Sequence, residues 1–366
     1  LWAGGASDMP RAVNGELDLR GMDLRSTDVA LSGEWRFYPQ RFLVSGNGQP
    51  PRGDDQQTGV NDAVLLEVPG TWNEVRGQGF GYGSYELELV LDSDARDLGL
   101  LIPTASTAMR IYAGDQLLAE HGRPATSAGD YSPEYRPEVV RIAEGAFEQS
   151  DEHRALLLRV EVANYHYWKG GMWEDLVLAS ESRVRGQRHY QLMVEYLLFG
   201  ALLIMAMYHF ALYVLRQRDR STLFFGVFVL LIAVRTIAVG QRTLHLIPGV
   251  GFYAIVVIEY ISFYAAALFF VAFSKRVFPN EIPTTLARIV EIALGVGLGT
   301  LLLPMQIFTR VLVVFQGIVF AGAIVLAVGA VRSVMRRVDG SVAYLIGFLV
   351  VVPVFVHDVL HNSNII

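Results

Sequence analysis

The chain has 366 residues, of which 52% are hydrophobic and 18% charged, so it is more apolar than an ordinary soluble protein. Up to Ser182 it carries 15 Lys and Arg against 29 Asp and Glu, and from Arg183 onward 15 against 7, which gives net charges of −14 and +8. The acidic half excludes nucleic acid as a partner because it repels phosphates, and the absence of Cys excludes disulfides, thiolate metal sites and thiol catalysis.

The chain opens on a segment that resembles the end of a signal peptide. Its first six residues read Leu-Trp-Ala-Gly-Gly-Ala, which is the small-residue pattern that follows the apolar region of a secretory leader. We therefore expect residues 1–30 to be the N-terminal segment of an exported protein that has lost its leader.

Residues 31–182 show the alternation that is typical of β-strands. Apolar and charged residues alternate in 85–89 and in 156–162, which places one face of each strand in a core and the other, with Glu161, in water. A Gly-Asp pair at 114–115 joins two apolar runs as a hairpin turn. Further strands are predicted at residues 64–68, 98–102, 139–142 and 173–178. The pattern predicts an antiparallel β-sandwich.

The second half, residues 183–366, contains long apolar runs, each near the ~20 residues that cross a hydrocarbon core of about 30 Å. Six transmembrane spans are predicted, at residues 192–215, 223–239, 252–273, 286–303, 311–331 and 342–360. Positive charges collect in alternate loops, around Arg218, Lys275 and Arg336. By the positive-inside rule these loops are cytoplasmic, which places the β domain in the periplasm, outside a bacterial inner membrane.

Five short motifs in the first half resemble one known domain. They are Leu-Ser-Gly-Glu-Trp-Arg-Phe at 31–37, Val-Pro-Gly-Thr-Trp-Asn at 68–73, Gly-Tyr-Gly-Ser-Tyr at 81–85, Val-Ala-Asn at 162–164 and Gly-Gly-Met-Trp at 170–173. In this order they resemble the jelly-roll, galactose-binding-like domain of β-galactosidase-type glycosidases. The resemblance implies an all-β jelly roll and a sugar-binding role.

The two halves together resemble the bacterial seven-transmembrane receptors with diverse intracellular signalling modules. The polar ending His-Asp-Val-Leu-His-Asn at 357–362 is similar to the end of the sixth span in that family. The resemblance implies a seventh helix beyond residue 366, followed by a cytoplasmic output domain: a diguanylate cyclase, histidine kinase, adenylate cyclase or phosphatase. The fold class expected is a multidomain membrane protein, an extracytoplasmic jelly-roll sandwich followed by an all-α transmembrane bundle.

Aromatic residues of the β domain are the candidate ligand-binding residues, because flat rings stack on the apolar faces of sugars. They are Trp72, Tyr82, Tyr131, Tyr135, Tyr165, Tyr167, Trp168 and Trp173. The alternative is that these rings fill the sandwich core, which we favour for Trp72 and Trp173. For the segment 165–169 the two interpretations stay open.

Ionisable residues inside the spans are the second candidate set, since a charge at the centre of a membrane helix costs about 2.5–3.5 kcal/mol. Glu195, Arg235, Glu259, His357 and Asp358 are predicted to form a polar coupling layer near the outer surface. We expect Arg235 and Glu259 to be a buried pair. For Glu195 we favour a side chain that reaches the headgroups.

The sequence predicts a transmembrane receptor that binds a small polar or carbohydrate-like ligand and relays binding inward, and homodimers are expected from the enzymes that the family carries. The alternative is a transporter or a transporter-associated substrate-binding protein, and a membrane-anchored carbohydrate-active enzyme is a third interpretation. No pair of carboxylates stands in a recognisable catalytic frame, and the Walker and Gly-x-Ser-x-Gly motifs are absent. We therefore expect no enzymatic activity, metal or cofactor in this chain.

Overall fold

The computed structural model describes residues 9–44, 63–104, 107–150, 152–216 and 219–362, with the backbone alone described for 353–362. The chain divides into two compact units, Leu1–Leu192 and Met193–Ile366. The first is a β-sheet domain and the second is helical. The predicted signal-peptide remnant at residues 1–6 lies outside the described residues.

The β domain contains two sheets. Its strands within the described residues are β1 (Glu16–Asp18), β2 (Val29–Ala30), β3 (Gly33–Pro39), β4 (Val64–Val68), β5 (Gly81–Asp92), β6 (Leu98–Ile102), β7 (Ala108–Ala113), β8 (Gln116–His121), β9 (Glu138–Arg141), β10 (Glu148–Gln149), β11 (His153–Asn164) and β12 (Val177–Ser180). The larger sheet has the order β4-β3-β5-β11-β7-β8, with β1 added parallel to β5 and β10 antiparallel to β11. The smaller sheet has the order β2-β12-β6-β9.

One apolar core lies between the two sheets. The larger sheet contributes alternate residues of β5 and β11, such as Leu89 and Leu158, and the smaller sheet contributes Leu100 and Leu178, all of which are fully buried. This period-two burial is the reason why the alternating sequence forms paired strands here. The predicted β domain is confirmed.

Two predicted details can be compared with the strands directly. The Gly-Asp hairpin is confirmed, with Gly114 at a φ of 56° between β7 and β8. The last predicted strand begins later than expected, at Val177 rather than Trp173. Its first residues belong instead to a loop in which the ring of Trp173 packs 4.9 Å from that of Tyr167.

One short helix, α1 (Asn73–Arg76), belongs to the β domain, and longer helices follow. These are α2 (Glu181–Leu215), α3 (Arg220–Val239), α4 (Phe252–Val277), α5 (Thr284–Thr300), α6 (Met305–Met335) and α7 (Ser341–Asn362). Among the described residues four of them, α2, α3, α4 and α6, are long and apolar enough to cross a membrane. The helix α5, with 17 residues, is shorter than the usual span.

Small residues allow close approach of neighbouring helices in the helical unit. Gly226 of α3 lies against the ring of Phe210, and Gly297 of α5 against that of Phe315. At Gly297 an added Cβ would come within 3.0 Å of the Phe315 ring, so a larger residue would push the helices apart. Such small-residue contacts are typical of membrane helices, which gain little from the hydrophobic effect and associate through close packing.

Candidate functional site

The aromatic segment after β11 is shaped by one buried side chain, Asn164. Its Nδ2 donates to the carbonyls of Gly79 at 2.8 Å, Tyr167 at 2.6 Å and Lys169 at 3.1 Å, while its Oδ1 accepts from the backbone N–H of Tyr167 at 2.9 Å. Asn164 is fully buried. A buried amide with this many partners fixes the backbone of residues 164–170 as a rigid loop.

The helix α1 holds the other side of this loop. Asn73 donates from Nδ2 to the Trp168 carbonyl and accepts at Oδ1 from the N–H of Gly170, both at 3.0 Å. The backbone N–H of Trp72 also donates to the Gly170 carbonyl, at 3.0 Å. The motif that contains Trp72 and Asn73 therefore holds the aromatic loop in place through these hydrogen bonds.

Two of the eight predicted ligand-binding rings belong to the core. Trp72 is fully buried, stacks on Phe37 with ring centroids 5.6 Å apart, and donates from Nε1 to the Gly79 carbonyl at 3.0 Å. Tyr135 is also buried. A ligand could reach these rings only if the core opened, because neither presents an accessible face.

The other six rings form two groups on the aromatic loop and its surroundings. In the first, the buried Tyr131 ring meets that of Tyr165 edge-on at 5.2 Å, and Tyr82 packs beside the same cluster. In the second, Tyr167 and Trp173 pack at 4.9 Å, with Trp168 nearby in the chain. The half-buried members are Tyr82, Tyr165, Trp168 and Trp173. These four expose the aromatic surface that a ligand could contact.

The guanidinium of Arg76 lies beside the first group, and the sequence analysis missed it. Its Nη1 donates to the Tyr82 carbonyl at 2.7 Å, and its carbon lies 5.6 Å from the Trp72 ring centroid. Gly81 makes room for it, since an added Cβ there would come within 2.6 Å of Nη1. Burial lowers the pKa of Arg76 below its ordinary value. The signal available in the sequence was its spacing of four from Trp72.

Two further basic side chains belong to the aromatic loop. The Nζ of Lys169 lies 5.3 Å from the Trp168 ring centroid, and the ring of His166 stacks on Tyr131 with centroids 5.4 Å apart. Burial lowers the pKa of both. The loop thus combines aromatic faces with positive or neutral nitrogen donors.

Glu161 is a buried carboxylate that the sequence analysis placed on the solvent face of β11. It is fully buried, because the segment before residue 45 covers that face of the larger sheet. Its Oε1 accepts from the N–H of Val44 at 2.9 Å, and its Oε2 lies 3.8 Å from Nη1 of Arg110. Burial, the largest influence, raises the pKa of Glu161 to about 7.

In the helical unit Glu195 is buried and bound, and it does not reach outward as expected. Its Oε1 accepts from the Thr243 hydroxyl at 2.9 Å, and its Oε2 accepts from the backbone N–H of Gln241. Both donors lie in the turn that follows α3. The carboxylate therefore fastens α2 to this turn, where unpaired backbone donors would otherwise face an apolar environment.

The predicted pairing of Arg235 with Glu259 occurs through the main chain. Nη1 of Arg235 donates to the backbone carbonyl of Glu259 at 3.2 Å, and its guanidinium carbon lies 5.2 Å from the Phe263 ring centroid. The Glu259 carboxylate instead meets Arg242, with Nη1 to Oε2 at 3.3 Å. The partner differs because Arg242 adopts a left-handed backbone, with φ at 53°, in the turn after α3. The side chains of His357 and Asp358 lie outside the described residues.

A cavity of about 600 Å³ lies inside the helical unit. Side chains of α2 to α7 line it, and among the described lining residues Arg235 and Thr236 are the polar side chains. The volume lies within the range of small-molecule cavities. Of the charged groups described above, Arg235 lines this cavity, and Glu195 and Glu259 are not among its lining residues.

The helical half matches a known family. Residues 191–366 match the family described as 7TM diverse intracellular signalling. The helical half of this chain is similar to that family, and the resemblance inferred from the sequence of the second half is confirmed. Together with the four long apolar helices, the match indicates a membrane protein.

Solved structures give weaker likenesses. A protein assigned as a β-galactosidase from Bacteroides fragilis is 16% identical, over 42% of this chain and 23% of that protein, with a TM-score of 0.29. The β-glucuronidase of Parabacteroides merdae is 15% identical, over 43% of this chain and 22% of that protein, with a TM-score of 0.32. The β-glucuronidase of Ruminococcus gnavus is 13% identical, over 42% of this chain and 29% of that protein, with a TM-score of 0.30. The chain spans less than a third of each. These scores are too low to carry a conclusion about function, and no curated protein matches the chain.

Proposed function

We propose that the chain is the sensing and transmembrane part of a bacterial receptor whose β domain binds a small polar, carbohydrate-like ligand. The observation that carries this proposal is the loop at 164–170, which Asn164 and Asn73 hold rigid while Tyr82, Tyr165 and Trp168 stay half-buried. A rigid loop presents its rings without an ordering cost on binding. Rings in this state can stack on the apolar face of a sugar.

In this proposal the helices α2 to α7 cross the membrane six times, with a jelly-roll domain in the periplasm and the Arg-rich loops in the cytoplasm. The positive-inside pattern of the loops supports this orientation. A seventh helix would lead to a cytoplasmic output domain, a cyclase, kinase or phosphatase, and such outputs work as dimers. In this proposal the chain itself has no enzymatic activity, so its role is binding and relay.

The helix α2 is the proposed relay. Its first turn is held by the β domain: the N–H of Glu181 donates to the Asp97 carbonyl at 2.7 Å, and Nε of Arg183 lies 2.5 Å from Oδ1 of Asp28. Val184 is fully buried in the same unit. A ligand that prefers one arrangement of the β domain would shift the population of positions that α2 adopts.

Binding by full-length protein in nanodiscs tests the proposal, with D-galactose as the neutral probe and ligand-observed NMR as the measurement. Tyr165→Ala and Trp168→Ala should each weaken binding by about two- to tenfold, since an aromatic contact is worth about 0.5–1.5 kcal/mol. Leu117→Ala is the matched control, because this side chain is 52% exposed on β8. The absence of sugar binding, or equal effects of all three changes, would refute the proposed function.

A further inference from the structure

Four buried or half-buried arginines of the β domain are paired with carboxylates. Nitrogen to oxygen distances are 3.8 Å for Arg36–Glu86, 2.8 Å for Arg110–Glu120, 2.7 Å for Arg154–Glu144 and 3.1 Å for Arg159–Glu86. The domain offers nearly twice as many acidic as basic residues, so carboxylate partners are plentiful. Pairing offsets the cost of withdrawing a guanidinium from water.

Arg76 departs from this pattern. It is half-buried, yet its partners are the Tyr82 carbonyl and the Trp72 ring, and no carboxylate of the described residues forms an ion pair with it. The groups that influence its pKa besides burial are three tyrosines rather than acids. A partly desolvated guanidinium that pairs with no carboxylate of the described residues, in an acidic domain, can bind an anion.

The surroundings of Arg76 match a sugar that bears such an anion. The carbonyl of Tyr82 accepts from Arg76, and the half-buried rings of Tyr82 and Tyr165 pack on the same cluster. The planar guanidinium can bind both oxygens of a carboxylate at once, and the Tyr165 ring can stack on a sugar ring. Lys169, on the same loop, adds a second basic group.

We propose that the ligand of the aromatic loop is a sugar that carries a carboxylate, of the uronic acid class, with its carboxylate on Arg76 and its ring against Tyr165. This inference rests on the proposed function, because it names the ligand class of the same site. It predicts discrimination between a sugar that carries a carboxylate and the parent sugar that has a hydroxymethyl group at the same carbon. It also identifies Arg76 as the residue that sets this discrimination.

The test compares two probes that differ at one carbon, D-galacturonate and D-galactose, on the full chain in nanodiscs. The wild-type protein should bind galacturonate at least about tenfold more tightly, which corresponds to 1.4 kcal/mol. Arg76→Gln should bring the two affinities to within about twofold of each other. Arg76→Lys keeps the positive charge but cannot bind both carboxylate oxygens at once, so it should retain part of the preference. Arg123→Gln is the control, since this exposed arginine donates to the Asp130 carbonyl and its loss changes the net charge equally.

The outcomes separate this inference from the proposed function. Equal affinities for both sugars in the wild-type protein, or an unchanged ratio in Arg76→Gln, would overturn the anionic class while sugar binding stands. Binding of neither sugar would overturn both. If Arg76→Gln does not fold, the wild-type ratio and the Arg76→Lys variant decide the matter.

Discussion

Arg242 and Glu259 form a nearly buried ion pair in the helical unit, with Nη1 of the arginine 3.3 Å from Oε2 of the glutamate and side chains that are 12% and 13% exposed. The pair joins the turn after α3 to the helix α4. Arg235, on α3, binds the backbone carbonyl of the same glutamate. The two arginines therefore depend on Glu259 in different ways, one through its carboxylate and the other through its main chain.

A double-mutant cycle on Arg242 and Glu259 should reveal coupling between them. We expect Arg242→Gln and Glu259→Gln each to lower the thermal stability of the protein in detergent, because each leaves a partly buried charge without its partner. The double variant should lose less than the sum, by about 1–2 kcal/mol. The measurement is the melting temperature of the four proteins, which is monitored by circular dichroism at 222 nm.

The matched control is the cycle of Arg235→Gln with Glu259→Gln. Glu259→Gln keeps the backbone carbonyl that Arg235 contacts, so these two changes should be additive within about 0.5 kcal/mol. Coupling in the Arg235 cycle and additivity in the Arg242 cycle would contradict the arrangement of side chains described above.

Features that depend on local properties of the chain could be predicted from the sequence, and features that depend on long-range contacts could not. The strands β5 and β11 and the helices α2 to α7 were predictable, because period-two alternation and long apolar runs are local properties of the chain. The partner of Glu259 was not, since it depends on the left-handed backbone of Arg242 in a turn. Turn conformations of residues other than Gly leave little trace in a sequence.

The candidate site was predictable only in part, because some of its features are local properties of the sequence and others depend on long-range packing. The aromatic segment at 165–169 stands out by composition, so its residues could be singled out. The burial of Trp72 and of Glu161 depends on which segments cover them, and that is settled by long-range packing. Arg76 could not be singled out from the sequence, because one arginine on a single-turn helix forms no recognisable pattern. Its significance is visible only in the structure, where other arginines of the domain are paired with carboxylates.

The stability of the β domain should fall as pH rises through the titration of Glu161. Its pKa in the folded state is raised to about 7 from 4.5, so between these values the folded protein binds more protons than the unfolded chain. Its contribution is therefore fully present below pH 4.5 and lost by about pH 7. A shift of this size corresponds to roughly 3 kcal/mol.

The Glu161→Gln variant isolates this effect. Glutamine keeps the acceptor for the Val44 N–H and does not titrate. We expect the melting temperature of the wild-type protein, relative to that of the variant, to decrease between pH 5 and pH 8. A constant difference over this interval would show that Glu161 is ionised in the fold. Asp175, whose pKa is raised to about 6, remains in both proteins and cancels in the comparison.

Removal of the Asn164 side chain should unfold the aromatic loop and destabilise the domain. Asn164→Ala removes the bonds from Nδ2 to the carbonyls of Tyr167 and Lys169, whereas the Gly79 carbonyl keeps its bond from Nε1 of Trp72, and the loss of a partner for a buried polar group costs about 1–3 kcal/mol. We expect a loss of roughly 3 kcal/mol or more in the free energy of unfolding. Asn73→Ala, at a half-buried position with fewer bonds, should cost roughly 1 kcal/mol. Equal losses in chemical denaturation would contradict the central role of Asn164.

The last prediction concerns where the β domain ends along α2. Val184 is fully buried, and its Cγ2 lies so close to Gly99 that an added Cβ there would come within 2.8 Å. Arg188 donates to the Pro137 carbonyl at 2.5 Å. The first turns of α2 therefore pack as part of the β domain, although the sequence alone places the boundary at Ser182.

We expect a fragment of residues 1–192 to be folded and more stable than one of residues 1–182. The shorter fragment loses the burial of the Val184 side chain, worth about 1.5–3 kcal/mol, and the ion pair of Arg183 with Asp28. Val184→Ala in the longer fragment should reproduce about 1.6 kcal/mol of this loss, since it removes two methyl groups at roughly 0.8 kcal/mol each. Val75→Ala, at a side chain that is 41% exposed, is the matched control and should cost much less. Equal melting temperatures of the two fragments would mean that the start of α2 adds nothing to the β domain, and the proposed relay through α2 would then lack its anchor.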